Sequence, residues 1–363
     1  MKIGQAETGI LMVPIDEPLA GMPESKDAVR PTVYLKLRTD DGIEGIGITF
    51  YAEALTKGLH ESVIAMVDLI KGMDPQRPEA IIAKIESNCS GAGPAGIFTL
   101  ALAAIDMAVW DIRAKALNLP LWKLLGGHRA KVPTYASGAL RRGLTDDQAA
   151  LATQRLRAKG FKEMKMQLAL PGVTNPAIEE RRARVVREAA GPETLLYCDI
   201  NQRWRPEQAI NIGRRIEDVR LDWLEDVTTC DDFAGLARVT HALPTPIAGG
   251  EYLWGVAPHA HAIAQHSVDI VMVDMLRAGG VTPWMKIAHL AQANNLPIVS
   301  HVVPEFMCHL VAASPNGVTV EYMPWMLKLF QETPKVENGE LILPERPGFG
   351  LAFDEQMLHR YMA

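Results

Sequence analysis

Between residues 31 and 50 the chain reads PTVYLKLRTDDGIEGIGITF, with apolar and polar positions alternating on both sides of an Asp-Gly pair. Period two sends successive side chains to opposite faces of a strand, and Asp-Gly favours a tight turn, so the segment predicts a β-hairpin. The period then lengthens. Helical spacing covers roughly 55–72, 77–90 and 95–117. The third of these is apolar on most faces, which predicts a buried helix stopping before Asn118 and Pro120. Residues 1–126 are therefore expected to form an α+β unit, sheet first and helices after.

After Gly127 the rhythm changes again. The runs VPTYAS, FKEMKMQ, TLLYCDI, DWLEDV, PIAGGE, DIVMVD, PIVSHV and VTVEYM are eight short β-rich segments separated by seven helix-length stretches. Strands alternating with helices imply a parallel sheet, and eight of them imply closure into an α/β barrel over 127–340. The tail, 341–363, is turn-rich, contains ERPGFG and does not continue the repeat. It is expected to return to the N-terminal unit.

In such a barrel the chemistry sits at the C-terminal ends of the strands. The polar residues found there are Lys165, Asp199, Glu225, Glu251, Asp274, His301 and Glu321. Asp199, Glu225 and Glu251 are spaced 26 and 26 residues apart, one βα unit each. Three carboxylates converging on one point repel each other and lose hydration, a conflict that a hard divalent cation resolves. Mg²⁺ is the expected occupant, because it favours oxygen ligands completed by water and substrate. Asp274 and His301 end neighbouring strands. A carboxylate bonded to one imidazole nitrogen sets the tautomer and leaves the other nitrogen as a general base. Glu321 is expected to donate a hydrogen bond if an apolar site keeps it protonated. For Glu305, helix capping is the default role.

Composition removes other classes of function. The 363 residues are 48% hydrophobic and 22% charged, with a net charge of −6 and no Lys/Arg-rich block, so nucleic acid is not an expected partner. The longest apolar stretch, 97–110, is too short to span a bilayer, and the N-terminus lacks a cleavable leader pattern. Four cysteines lie far apart, as for free thiols in a reducing cytoplasm.

Taken in order, AAIDMAVWD (103–111), PLWKLLGG (120–127), GFKEMKMQ, DINQ (199–202), WLED (223–226), GGE (249–251), VDMLRAGGV (273–281), SHVVPE (300–305) and VEY (320–322) resemble the mandelate racemase subgroup of the enolase superfamily. The resemblance spans nearly the whole chain. It implies an N-terminal capping domain over a modified (β/α)7β barrel of TIM type, with Mg²⁺ on Asp199, Glu225 and Glu251. It further implies a His301–Asp274 dyad, Glu321 as donor to the substrate carboxylate, and substrate or metal-side contacts from Asn201 and Ser137. A small carboxylate is the implied substrate, and homo-oligomers are common among relatives. The muconate-lactonising branch carries a lysine where Asp274 stands, so this chain does not resemble that branch.

One departure decides between activities. The family's second barrel strand usually carries Lys-x-Lys, whereas here the pair is Lys165 and Gln167. An amide takes up no proton at neutral pH. Inverting a stereocentre by 1,1-proton transfer needs two proton carriers on opposite faces; eliminating water can use His301 alone. The expected reaction is dehydration of a hydroxylated carboxylate, with a sugar acid as the expected substrate, through an enediolate to a 2-keto acid. Lys165 and Gln167 are expected to face the substrate, Lys165 chiefly as fixed charge. The alternatives are a racemase or epimerase of a 2-hydroxy or amino acid, with Lys165 as base, and a non-catalytic ligand-binding relative. Strand four carries Glu-Asp-Val in place of the common Glu-Glu-Pro, which alters the surroundings of Glu225. The segments 17–30 and 48–54 are expected to belong to the cap that closes over the distal hydroxyls.

Overall fold

A computed structural model of the chain describes residues 1–22, 28–170, 172 and 175–363. Part of the expected cap loop, 23–27, thus lies outside the described residues.

The cap opens with a three-stranded antiparallel sheet in the order β1 (Ile3–Pro14), β2 (Val29–Thr39) and β3 (Glu44–Thr49). The hairpin at 31–50 is β2–β3, and Gly42 takes the left-handed conformation (φ +86°) in its turn. The strand β1 is not legible in the chain's pattern, because exposed polar residues interrupt its apolar positions and the register slips between Ile3 and Gln5. Helices α1 (Thr56–Ile70), α2 (Pro78–Cys89) and α3 (Ile97–Ala116) follow. The helix α3 is buried along most of its length and lies directly on β3. A Cβ at Gly45 or Gly47 would come within 2.1 Å of the Ala108 or Ala104 carbonyl oxygen, so glycine alone permits that approach.

The barrel strands are β4 (Lys131–Leu140), β5 (Glu163–Gln167), β6 (Leu195–Asp199), β7 (Trp223–Glu225), β8 (Ile247–Gly249), β9 (Ile270–Asp274), β10 (Ile298–His301) and β11 (Val320–Tyr322). They pair in parallel in chain order from β4 to β10, and β11 pairs in parallel with β4. Contacts between Ile298 and Gly317, and a bond from the Glu321 amide to Ser300 Oγ at 2.8 Å, join β10 to β11. The barrel interior is filled by Tyr135, Tyr197, Trp223, Ala248, Met272 and Val299, with the Tyr197 and Trp223 rings stacked. Two residues further along their strands stand Ser137, Asp199, Glu225, Asp274 and His301. The period of two that packs the interior therefore also lifts these polar residues to its upper rim.

Two buried acids of the AAIDMAVWD run join the units. Asp106 accepts from the Thr282 amide and hydroxyl, both at 2.8 Å, at the start of the barrel helix Val281–Ala293. Asp111 accepts from the Ile46 amide, the Phe349 amide and Lys115 Nζ. The tail pairs Glu340–Ile342 with the start of β4, then reaches the cap, where Met362 bridges to Leu11 and Lys36 bonds Glu355 at 2.7 Å. No helix among the described residues is long and apolar enough to cross a membrane.

Candidate active site

Sheet register places the predicted residues side by side. Gln167 is level with Asp199, Asp199 with Glu225, and Asp274 with His301. At the dyad, His301 Nδ1 lies 2.7 Å from Asp274 Oδ2. A carboxylate only accepts, so Nδ1 carries the proton and Nε2 is left to act. Burial pushes the Asp274 carboxyl up, but the bond from His301 and the nearby Arg277 charge hold it below the usual range. The Arg277 amide also donates to Asp274 Oδ1 at 2.8 Å. The free His301 Nε2 faces Glu251 Oε2 at 3.2 Å and Glu321 Oε2 at 3.9 Å.

Lys165 is buried between two acids, its Nζ 2.5 Å from Glu225 Oε1 and 2.8 Å from Glu321 Oε1. Burial alone would lower its pKa, but Glu225 and Glu321 more than reverse that and raise it well above the ordinary lysine value. Its two carboxylate partners thus favour the charged form of Lys165 in this arrangement. Glu321 differs from the expected protonated donor. It accepts from Lys165, from Ser137 Oγ at 2.7 Å and from the Val302 amide at 2.7 Å. Against burial, Lys165 and His301 hold its carboxyl down at about 2, so it is an anion. Tertiary donors outweigh the apolar surroundings that the sequence suggested. Val302 and Val303 adopt left-handed backbone (φ +45° and +38°), a costly conformation for β-branched residues, and the first aims its amide at Glu321.

Among the described residues, the compact group of possible cation ligands is Glu225, Asp226 and Glu251, one oxygen of each lying within 4.8 Å of the others. Asp226 is the member that sequence reasoning passed over, although it directly follows Glu225 in WLED. Asp199 stands beside Glu225 in register but is not in that group. Its Oδ1 accepts from the Asn201 amide at 2.7 Å, and its Oδ2 lies 3.4 Å from Gln167 Nε2. Burial, with neighbouring acids adding to it, raises the Asp226 and Glu251 carboxyls well above their usual range; burial carries Glu225 to about 7 despite Lys165. Asp226 Oδ2 is buried without a hydrogen-bond partner among the described residues, and Glu251 Oε2 makes no hydrogen bond and has the His301 ring nitrogen at 3.2 Å. A desolvated, closely spaced, all-oxygen donor set of this kind fits a hard divalent cation.

The remaining residues ring this centre. Gln167 Nε2 bonds Asn201 Oδ1 at 3.2 Å, and Arg142 donates to the same oxygen. The Asn201 side-chain Nδ2 donates to the Tyr252 hydroxyl at 3.3 Å. From the cap, the Tyr51 hydroxyl donates to Asp274 Oδ2, and the Arg277 guanidinium packs on the Tyr51 and Tyr252 rings. Tyr51 lies in the 48–54 segment but carries no motif that would single it out. Glu305 does not cap its helix. Its carboxyl is wholly buried, and neither oxygen has a partner among the described residues.

Comparison with known proteins places this geometry in a family. Residues 147–357 match the enolase C-terminal domain-like family, and residues 16–126 match the N-terminal domain of mandelate racemase / muconate lactonizing enzyme. The L-talarate/galactarate dehydratase of Salmonella typhimurium is 34% identical over 89% of this chain and 81% of its own length. Its crystal structure with Mg and L-lyxarohydroxamate superposes with a TM-score of 0.93 at 30% identity, covering 100% of this chain and 93% of that one. The 3,6-anhydro-alpha-L-galactonate cycloisomerase of Streptomyces coelicolor is 30% identical over 99% of both chains. With both domains matched, in order and nearly end to end, this chain belongs to the mandelate racemase / muconate lactonizing enzyme family of the enolase superfamily.

Proposed function

We propose that the protein is a Mg²⁺-dependent dehydratase of a sugar acid. The observation that carries this reading is the asymmetry of the site. On one side stands an imidazole with a free Nε2; on the other stand an amide, Gln167, and a lysine locked between two carboxylates. Asp199, Glu225 and Glu251 would hold the cation, with Asp226 beside them. When bound, Mg²⁺ supplies the positive charge that lowers the energy of the enolised carboxylate.

Asp274 fixes the proton on His301 Nδ1, so His301 Nε2 removes the substrate α-proton. The resulting imidazolium then delivers that proton from Nε2 to the departing β-hydroxyl. Water leaves, and the enol product tautomerises to a 2-keto acid. Lys165 keeps its charge throughout and screens Glu225 and Glu321 from one another. The relatives named as dehydratases act on galactarate, talarate and arabinonate, all polyhydroxylated acids, which supports a substrate of that class.

An isomerase is the second reading, favoured by the relative named as a cycloisomerase. Epimerisation would need a proton carrier opposite His301, where Lys165 is already held by two anions. Four free cysteines support a reducing, cytoplasmic setting, and assembly as a homo-oligomer rests on the family resemblance. The test is a library of sugar acids, galactarate and arabinonate included, incubated with enzyme and Mg²⁺ and assayed with semicarbazide. A 2-keto acid is the expected product. Absence of keto acid, with α-proton exchange in D₂O and loss of optical rotation, would replace the dehydratase by an epimerase.

A further inference from the structure

Three side chains from consecutive barrel units meet at the mouth: Arg142 just after β4, Gln167 at the end of β5 and Asn201 just after β6. Arg142 is partly buried. Its Nε donates to the Leu168 carbonyl oxygen at 2.8 Å, and a terminal nitrogen donates to Asn201 Oδ1. Gln167 Nε2 lies 3.2 Å from the same Asn201 oxygen and 3.4 Å from Asp199 Oδ2. Asn201 Nδ2 is taken up by the Tyr252 hydroxyl.

A guanidinium has only donors, and that fixes the direction of each bond that follows. The Asn201 atom facing Arg142 must be its oxygen, because the nitrogen would set donor against donor. The Gln167 atom facing that oxygen must in turn be its nitrogen, since two amide oxygens do not bond. This orientation follows from Arg142 alone and is independent of the charge on any carboxylate. Gln167 Oε1 is left on the other side of its planar amide, without a hydrogen-bond partner among the described residues. Gln167 is also the one residue of β5 that is partly exposed, so this oxygen opens onto the mouth.

We propose that Arg142 is a positioning residue for substrate recognition: by holding Asn201 Oδ1 it turns Gln167 so that Oε1 faces the bound acid and accepts from one of its hydroxyls. A lysine at position 167 would present donors there; this chain presents an acceptor. The subsite therefore takes a hydroxyl and disfavours a carboxylate or ether oxygen, neither of which has a hydrogen to give. Gln167 is thereby given a task in place of the proton transfer that an amide cannot perform. The hydroxyl contact rests on the proposed sugar-acid reading; the orientation of the amide does not.

Two measurements test it. Neutron diffraction from deuterium-exchanged crystals should show the Gln167 deuterons on the atom facing Asn201. Deuterons on the atom facing the mouth would overturn the inference. The second measurement uses the library acid with the highest turnover. Its kcat/KM should fall about tenfold in Gln167→Leu, the cost of one hydrogen bond, and by a similar factor in Arg142→Met. The double variant should fall no further, because both changes remove the same contact. Arg142→Lys, which keeps a donor for Asn201, should recover most of the loss. A parental kcat/KM in Arg142→Met, or losses that multiply in the double variant, overturns the positioning role. If no library acid is turned over, the dehydratase reading and the hydroxyl contact fall together. The diffraction result then upholds or overturns the hold of Arg142 on Gln167 by itself.

Discussion

Tyr51 and Asp274 meet across the boundary between cap and barrel, the tyrosine hydroxyl donating to Asp274 Oδ2 at 3.0 Å. The same oxygen takes the His301 Nδ1 bond at 2.7 Å, and the hydroxyl lies 3.5 Å from Nδ1 itself. The proposed base is therefore steadied by a residue from the cap, which ties the placement of the cap to the orientation of the imidazole.

Tyr51→Phe removes that donor without emptying the space. One hydrogen bond to a charged group contributes about 1.5–3 kcal/mol, so kcat should fall by about one to two orders of magnitude. Mn²⁺ affinity should be unchanged. A parental kcat would show that the cap contributes nothing to the dyad.

His301→Asn keeps a polar side chain but removes the proton acceptor. General base catalysis is worth about 10² to 10⁴ in rate, and turnover should drop by at least that factor while calorimetric Mg²⁺ titration stays intact. Retained turnover would take His301 out of the role given to it.

Lys165→Met leaves Glu225 and Glu321 buried without their shared cation. Breaking a buried pair from one side costs about 3–5 kcal/mol, so the variant should melt well below the parent in EDTA. Mg²⁺ should recover part of the loss by supplying charge beside Glu225. Equal melting temperatures in EDTA would mean that the bridge carries no net stability.

Burial without a partner raises the Glu305 carboxyl from 4.5 to about 8. Between those pH values the folded protein holds a proton that the unfolded chain has released. Its effect on stability is absent below about pH 4.5, becomes increasingly unfavourable as pH rises to 8, and is constant above. Glu305→Gln removes the titration. The variant should gain stability relative to the parent as pH rises, on the order of 3 kcal/mol near pH 7. Parallel melting curves from pH 5 to 8 would show that Glu305 is solvated or paired in solution.

Much of this molecule was legible in one dimension. The alternation at 31–50, the buried helix α3 and the eight β-rich runs are local patterns, set by which faces of each element meet water, and the tertiary structure keeps them. Strand-end residues were legible for the same reason, since a barrel brings together what the repeat spaces apart. The strand β1 was not, because its pairing with β2 rather than its own pattern makes it a strand.

What the chain alone determined is the kind of chemistry: acids at the phase of the repeat, one histidine beside one aspartate, and Gln167 where a second base would stand. Only the tertiary structure decided the states of those groups. It put Lys165 between Glu225 and Glu321, which makes Glu321 an anion instead of a proton donor. It brought Asp226 into the carboxylate group and Tyr51 onto Asp274. The reason is physical. Backbone periodicity is local, whereas a buried group's charge and hydrogen bonds depend on neighbours that folding delivers from elsewhere in the chain.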